Sequence, residues 1–165
     1  MKIEFGCGEN PTKEGFKTCD IRKLPGVDFA CPAWKIVDHV GHNSVDEIFS
    51  RHFFEHLTFA QGHVVLEQWF TILKPNGIMG MMLPNLEFHL RQLNTWSALN
   101  AKGRQDCRAG FWGWQHGEFE DTWDTHKSGY TKDMLFELLA SKGFVNLTSK
   151  RSHKNRHLEI TCNKP

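Results

Sequence analysis

The segment Glu4-Phe5-Gly6-Cys7-Gly8 closes a short apolar run with two glycines one residue apart. Glycines at a strand end let the backbone turn sharply and approach a ligand with no Cβ in between. Twelve residues beyond Gly8, after a second short apolar run, stands Asp20. A carboxylate at that place can accept two hydrogen bonds from a ribose diol. Pro11 and the short interval from Gly8 to Phe16 leave no room for the helix that a G-x-G-x-x-G dinucleotide loop opens, and no G-K-[ST] follows. The combination suits a nucleoside that carries no phosphates.

A second set of chemically capable residues lies further along. His52 and His56 are four apart with Glu55 between them. On a helix they would share a face and could hold a metal. The flanking Phe53, Phe54 and Leu57 argue instead for a partly buried turn. His52 is read as cavity lining or structural, His56 as structural. Between Trp112 and His126, fifteen residues hold three tryptophans, two histidines and four carboxylates. They could line a pocket, or form a surface loop pinned by tryptophans. His116, Asp124 and His126 show no metal-ligand spacing, so no metal is expected. Tyr130, the only tyrosine, follows His126 closely; its plainer role is packing at a helix entry. The basic turn at residues 150–156, with four Lys/Arg, is read as a solvated hairpin tip.

The elements that must position these residues follow from pattern and punctuation. Strands are expected at residues 2–5, 16–19, 27–31 and 46–50. Val65, Trp69, Ile72 and Leu73 define one face of a helix at about 60–73, ended by Lys74-Pro75-Asn76-Gly77. The apolar run 78–83 suits a central strand covered on both faces. Residues 86–101 read as a helix and 102–128 as a long ordered loop or insertion. Thr131 caps a last helix with Leu135, Leu138 and Leu139 on its apolar face. Strands at 145–149 and 158–162, joined by a tight turn, must be antiparallel. Strands alternating with helices favour a mostly parallel sheet with helices on both faces.

Composition sets the outer limits. At 165 residues the chain is expected to be one domain, 1–165. With 39% hydrophobic and 24% charged residues it has the profile of a globular protein. A net charge of +1 gives no field toward nucleic acid or an anionic membrane. No apolar run reaches the roughly 20 residues of a membrane span, and residues 1–5 do not read as a leader. Five cysteines with no C-x-x-C pair point to free thiols rather than a disulfide framework or zinc knuckle. The expected compartment is the cytoplasm.

Taken in order, these motifs resemble the class I S-adenosylmethionine-dependent methyltransferases, in a compact branch of methyltransferase type 11-like proteins. Glu4-Phe5-Gly6-Cys7-Gly8 is similar to their first motif and Asp20-Ile21 to the second. Val45–Ser50 with His52-Phe53-Phe54-Glu55-His56-Leu57 resembles the fourth strand and its continuation. Leu73-Lys74-Pro75-Asn76-Gly77 resembles the turn before the fifth strand. His126-Lys127-Ser128-Gly129-Tyr130-Thr131, with Gly143-Phe144, resembles the C-terminal part.

The resemblance implies a Rossmann-like three-layer α/β/α sandwich with a seven-stranded sheet ordered 3-2-1-4-5-7-6, and S-adenosylmethionine as cofactor. It implies that Glu4 holds the methionine ammonium, that Phe5, Gly6, Cys7 and Gly8 pack along the cofactor, and that Asp20 takes the ribose hydroxyls. Ile21 would lie against adenine, and Ser50 and Arg51 near the sulfonium and carboxylate. Two departures stand out. The first helix is nearly absent, and Cys31-Pro32-Ala33-Trp34 replaces an acid that reads the adenine edge. If the acceptor is a hydroxyl or amine, a base helps, and His126, His52 and Tyr130 are the candidates. Residues 112–130 would close over the methyl group, with His126 facing the cavity. The expected partner is a small-molecule acceptor for O- or N-methylation. The alternative is a non-catalytic nucleoside-binding module. Nucleic-acid modification is a third reading, against which the neutral charge counts.

Overall fold

The computed structural model describes residues 1–115, 124–152 and 154–165, with the side chains at 151 and 152 excepted. Its strands are β1 (Lys2–Phe5), β2 (Lys17–Asp20), β3 (Phe29–Ala30), β4 (Val45–Arg51), β5 (Leu73–Pro84), β6 (Val145–Ser152) and β7 (His157–Asn163). Its α-helices are α1 (Phe59–Ile72), α2 (Leu86–Asn94), α3 (Ala101–Trp112) and α4 (Lys132–Ser141). The strands form one sheet in the order β3-β2-β1-β4-β5-β7-β6, with β7 antiparallel to both neighbours. This is the Rossmann-like arrangement expected.

Local chemistry explains the element ends. Thr58 accepts from the Gln61 N–H while the Gln61 side chain accepts from the Thr58 N–H, a reciprocal cap that starts α1. Asn76, at φ +63°, bends the backbone inside the first part of β5. β3 is shorter than expected because the Asp28 carboxylate, rather than a strand, accepts from the Thr18 N–H. Thr131 caps α4 by accepting from the Met134 N–H.

One face of the sheet carries the core. The 3-10 turn Ala33–Asp38, α1 and α4 bury Ile36, Trp69 and Leu135 against Ile3, Phe5, Ile48, Met79 and Met81. The Phe5 and Trp69 ring centroids are 4.9 Å apart. Each such side chain contributes about 1.5–3 kcal/mol by leaving water.

The opposite face differs from expectation. In β5, Met79, Met81 and Leu83 are buried, while Ile78 is 42% exposed and Gly80 and Met82 are half-buried. The strand is therefore covered on one face rather than both. No helix connects β1 to β2, and residues 6–16 supply the covering layer there. Glu4 holds that loop down by accepting from the backbone N–H groups of Thr12 and Lys13 and the Thr12 hydroxyl, and the Lys13 ammonium lies 4.3 Å from the centre of the Phe49 ring.

The expected helix at 86–101 breaks after Asn94, where the Thr95 hydroxyl bonds back to the Arg91 and Gln92 carbonyls. The expected loop at 102–128 begins instead with α3, capped by the Asn100 side chain. α3 buries only Asp106 and Cys107, so no apolar period announced it. Among the described residues no helix is long and apolar enough to cross a membrane.

Candidate functional site

Two cavities open at the C-terminal ends of the parallel strands, where ligands of open α/β sheets bind. The larger, about 460 Å³, is lined by Gly6 and Gly8 after β1, by Asp20, Ile21 and Arg22 after β2, by Pro32, Ala33 and Trp34, and by His52, Phe53, His56, Leu57 and Gln61. Cys19, Cys31, Asp124 and Lys127 complete it. Gly6 (φ +65°) and Gly8 (φ +57°) form the turn. A Cβ on Gly6 would lie 2.6 Å from Phe53 Cβ, so the glycine is required by contact as well as by conformation.

Asp20 is buried at the mouth of this turn. Its Oδ2 accepts from the Gly8 N–H at 2.9 Å, and its Oδ1 from the Arg22 N–H at 2.9 Å and Arg22 Nε at 3.1 Å. Burial favours the neutral carboxyl, but the Arg22 and Gly8 hydrogen bonds outweigh it and hold Asp20 below the usual carboxylate range. Burial likewise pushes the Cys7 thiol up to about 11, so it stays protonated at neutral pH.

The second cavity, about 430 Å³, adjoins the first and shares His52, His56 and Asp124 with it. Its other walls include Glu55, His89, Asp106, Trp114, His126, Arg156 and His157. Glu55 is its central group and is fully buried. It sits in a single 3-10 turn, Phe54–His56, reached through His52 at φ +49°, a left-handed conformation uncommon outside glycine. Glu55 Oε1 lies 3.1 Å from His52 Nδ1 and 3.9 Å from His126 Nε2, and Oε2 has no hydrogen-bond partner among the described residues. Burial would raise the Glu55 pKa, yet the His52 hydrogen bond and the charges of His52, His56 and His126 keep it below the usual range. The Glu55 carbonyl accepts from the N–H groups of Lys127 and Ser128, which fixes His126 beside it. Burial pushes the His126 imidazole below its ordinary pKa.

The residues expected at the site divide. Gly6, Gly8, Asp20, Ile21 and His52 line the larger cavity, and His52 and His126 line the second. Glu4 does not line either; its carboxylate is committed to Thr12 and Lys13 on the far side of the sheet. Phe5 is in the core against Trp69, Cys7 is buried beside the turn, and Ser50 is buried. Arg51 is exposed and pairs with Met82 on the half-covered side of the sheet. Tyr130 lines neither cavity; its ring packs 5.4 Å from Phe54 and 5.6 Å from Phe59 by centroid, in the packing role its sequence position allowed. Residues 116–123, including His116, lie outside the described residues, so only 112–115 and 124–130 of the expected covering segment can be placed. Arg156 is not a solvated tip: its guanidinium lies 2.8 Å from Asp106 of α3.

Sequence reasoning missed Arg22, Glu55, His89, Asp106 and Arg156. For Glu55 the signal was present, an acid between two histidines. For Asp106 and Arg156 no local pattern exists, because their pairing spans α3 and the β6–β7 hairpin.

Similar structures were found over 99% of the chain. A protein of Bordetella parapertussis described as a possible exported protein matches with TM-score 0.64 and 14% identity, and the chain spans 61% of its length. A S-adenosylmethionine-dependent methyltransferase from Archaeoglobus fulgidus matches with TM-score 0.67 and 15% identity over 85% of its length. The 1,6-didemethyltoxoflavin-N1-methyltransferase of Burkholderia thailandensis, with 1,6-didemethyltoxoflavin and S-adenosylhomocysteine bound, matches with TM-score 0.61 and 15% identity over 70% of its length. No protein-family model and no curated sequence matches. A glycine turn and strand-end acid beside a cavity, on a sheet of this order, give the chain the fold of the class I S-adenosylmethionine-dependent methyltransferases.

Proposed function

We propose that the chain is a S-adenosylmethionine-dependent methyltransferase acting on a small-molecule acceptor through an oxygen or nitrogen. The carrying observation is that the cavity at Gly6, Gly8 and Asp20 adjoins a second cavity lined by titratable side chains and shares His52, His56 and Asp124 with it. The residues fit the nucleoside half of the cofactor. Ile21, Ala33, Trp34 and Leu57 offer apolar walls to a base, and Asp20 Oδ2 accepts from the Gly8 N–H at 2.9 Å and, at the long distance of 3.5 Å, from Arg22 Nη2, the bond a ribose hydroxyl would replace. Glu4 is not available to the ammonium; Gln61, Asp124 and Lys127 are among the polar groups that line the same cavity.

When bound, the cofactor supplies a methyl group already activated on a sulfonium. The chain's own contribution is to position and exclude water. His52 lies on the wall common to both cavities, with Nδ1 on the Glu55 carboxylate. That bond orients the ring and stabilises it when protonated, as a base accepting a proton from a hydroxyl or amine requires. His126 then serves to position Glu55. The 165 residues act as one domain, and five free cysteines agree with a reducing compartment such as the cytoplasm.

Calorimetry with S-adenosylhomocysteine tests the cofactor reading. Wild type should bind, and Asp20→Ala should weaken binding by about 1.5–3 kcal/mol while remaining folded. Absence of binding by folded wild type, or equal affinity in the variant, contradicts it. Two observations favour a second reading, a binding module without turnover: Glu4 is fully engaged elsewhere, and Arg22 sits on Asp20. That reading expects cofactor binding with no methyl transfer in the presence of acceptor extracts.

A further inference from the structure

We infer that Glu55, His56 and His126 form a binding site for a divalent transition-metal ion, zinc above all, on the wall of the second cavity. One ligand atom from each, a carboxylate oxygen and two imidazole nitrogens, lies within 4.8 Å of the others. Two imidazoles and one carboxylate suit zinc and its neighbours rather than magnesium or calcium, which prefer all-oxygen sets. Zinc bonds of about 2.0–2.2 Å need ligand atoms about 3.3 Å apart, so the side chains must close by up to about 1.5 Å.

Three observations show the set prepared for this. Glu55 Oε2 is buried and unpartnered among the described residues, while Oε1 is held by His52 Nδ1 at 3.1 Å. A buried carboxylate oxygen left without a partner is costly, and a cation relieves that cost. His56 Nδ1 lies 3.1 Å from the Thr125 carbonyl; donation there leaves Nε2 as the lone pair, the outer hydrogen bond typical of ligating histidines. The bonds from Lys127 and Ser128 to the Glu55 carbonyl fix the two halves of the set together, although 70 residues separate His56 from His126.

Three protein ligands leave a coordination position open toward the cavity, as in sites that take up a substrate or water. An acceptor presenting an oxygen or nitrogen lone pair would occupy it. This use of the metal rests on the second cavity being the acceptor site; the binding of metal does not.

The test uses the full chain stripped with a chelator and then dialysed, titrated with zinc alone against a chromophoric competitor, and with cobalt alone to read the visible d–d bands of the bound ion. One equivalent should bind. His56→Ala and His126→Ala should each lose at least about 100-fold in affinity and change the cobalt spectrum. His89→Ala, which lines the same cavity outside the set, should keep both. Glu55→Gln should also lose affinity if it folds, and the two histidine variants decide if it does not. No stoichiometric binding by wild type, unchanged affinity in the folded histidine variants, or equal loss in His89→Ala overturns the site. Binding of S-adenosylhomocysteine is measured separately in chelator, so failure of the cofactor reading and failure of the metal site are told apart.

Discussion

Phe53 sets its ring against the bare face of Gly6, and this contact shapes the wall of the larger cavity. A Cβ at Gly6 meets three carbons of Phe53 and must also adopt a positive φ. The left-handed conformation costs about 1–2 kcal/mol and overpacking about 1–3 kcal/mol. Gly6→Ala should therefore lower stability by about 2–5 kcal/mol in urea denaturation and abolish S-adenosylhomocysteine binding. A variant with wild-type stability would show that Phe53 moves freely and does not define the wall. Gly8 offers a contrast at the same scale, since a Cβ there meets only the far end of the flexible Arg22 side chain at 3.2 Å.

At the scale of elements, β5 shows how the unequal layers distribute stability. Ile78 and Met79 are adjacent in one strand, yet one is 42% exposed and the other 0%. Successive strand side chains point to opposite faces, and only the Met79 face is packed by α1 and α4. Ile78→Thr should change the unfolding free energy by no more than about 0.5 kcal/mol, whereas Met79→Ala should cost about 2–5 kcal/mol. Equal effects would mean that something covers the Ile78 face in solution. The strand itself was legible as an apolar run bounded by Gly77 and Pro84. Its one-sided burial was not, because methionine and isoleucine occupy the half-covered face too. α1 and α4 were legible from caps and a 3.6-residue apolar period. α3 was not, since its buried residues are an aspartate and a cysteine.

Over the whole molecule, titration ties stability to pH. Burial lowers the His89 pKa below its ordinary value of about 6.5. A group whose folded pKa is depressed adds stability above its unfolded pKa and loses it as pH falls. Asp20 is held low by Arg22 and Gly8 against the effect of burial, Asp28 chiefly by Lys17, and Asp46 down to about 2 by Lys74 and the N-terminus. Their contribution is full above about pH 4 and disappears toward pH 2. The urea midpoint should be level from pH 8 to 7, decline below about 6.5, and fall more steeply below 4. His89→Gln should make the first decline shallower. A midpoint that rises between pH 7 and 5 would contradict the sign for His89.

The sequence by itself determined what is local or periodic. Gly6, Gly8 and Asp20 announced a turn and a strand-end acid because glycine conformation and carboxylate placement need no distant partner. The alternation of strands and helices, with a tight last hairpin, determined the class of sheet. Tertiary structure decided the rest. Glu4 stands beside the turn in sequence but faces away from the cavity, since a strand sends neighbouring side chains to opposite sides. Glu55 and His126 lie 71 residues apart, and two backbone hydrogen bonds at the Glu55 carbonyl bring them together. No spacing rule within the chain encodes that distance. It follows from β5, α2 and α3 leading the chain out and back to the strand ends, which is a property of the folded sheet alone.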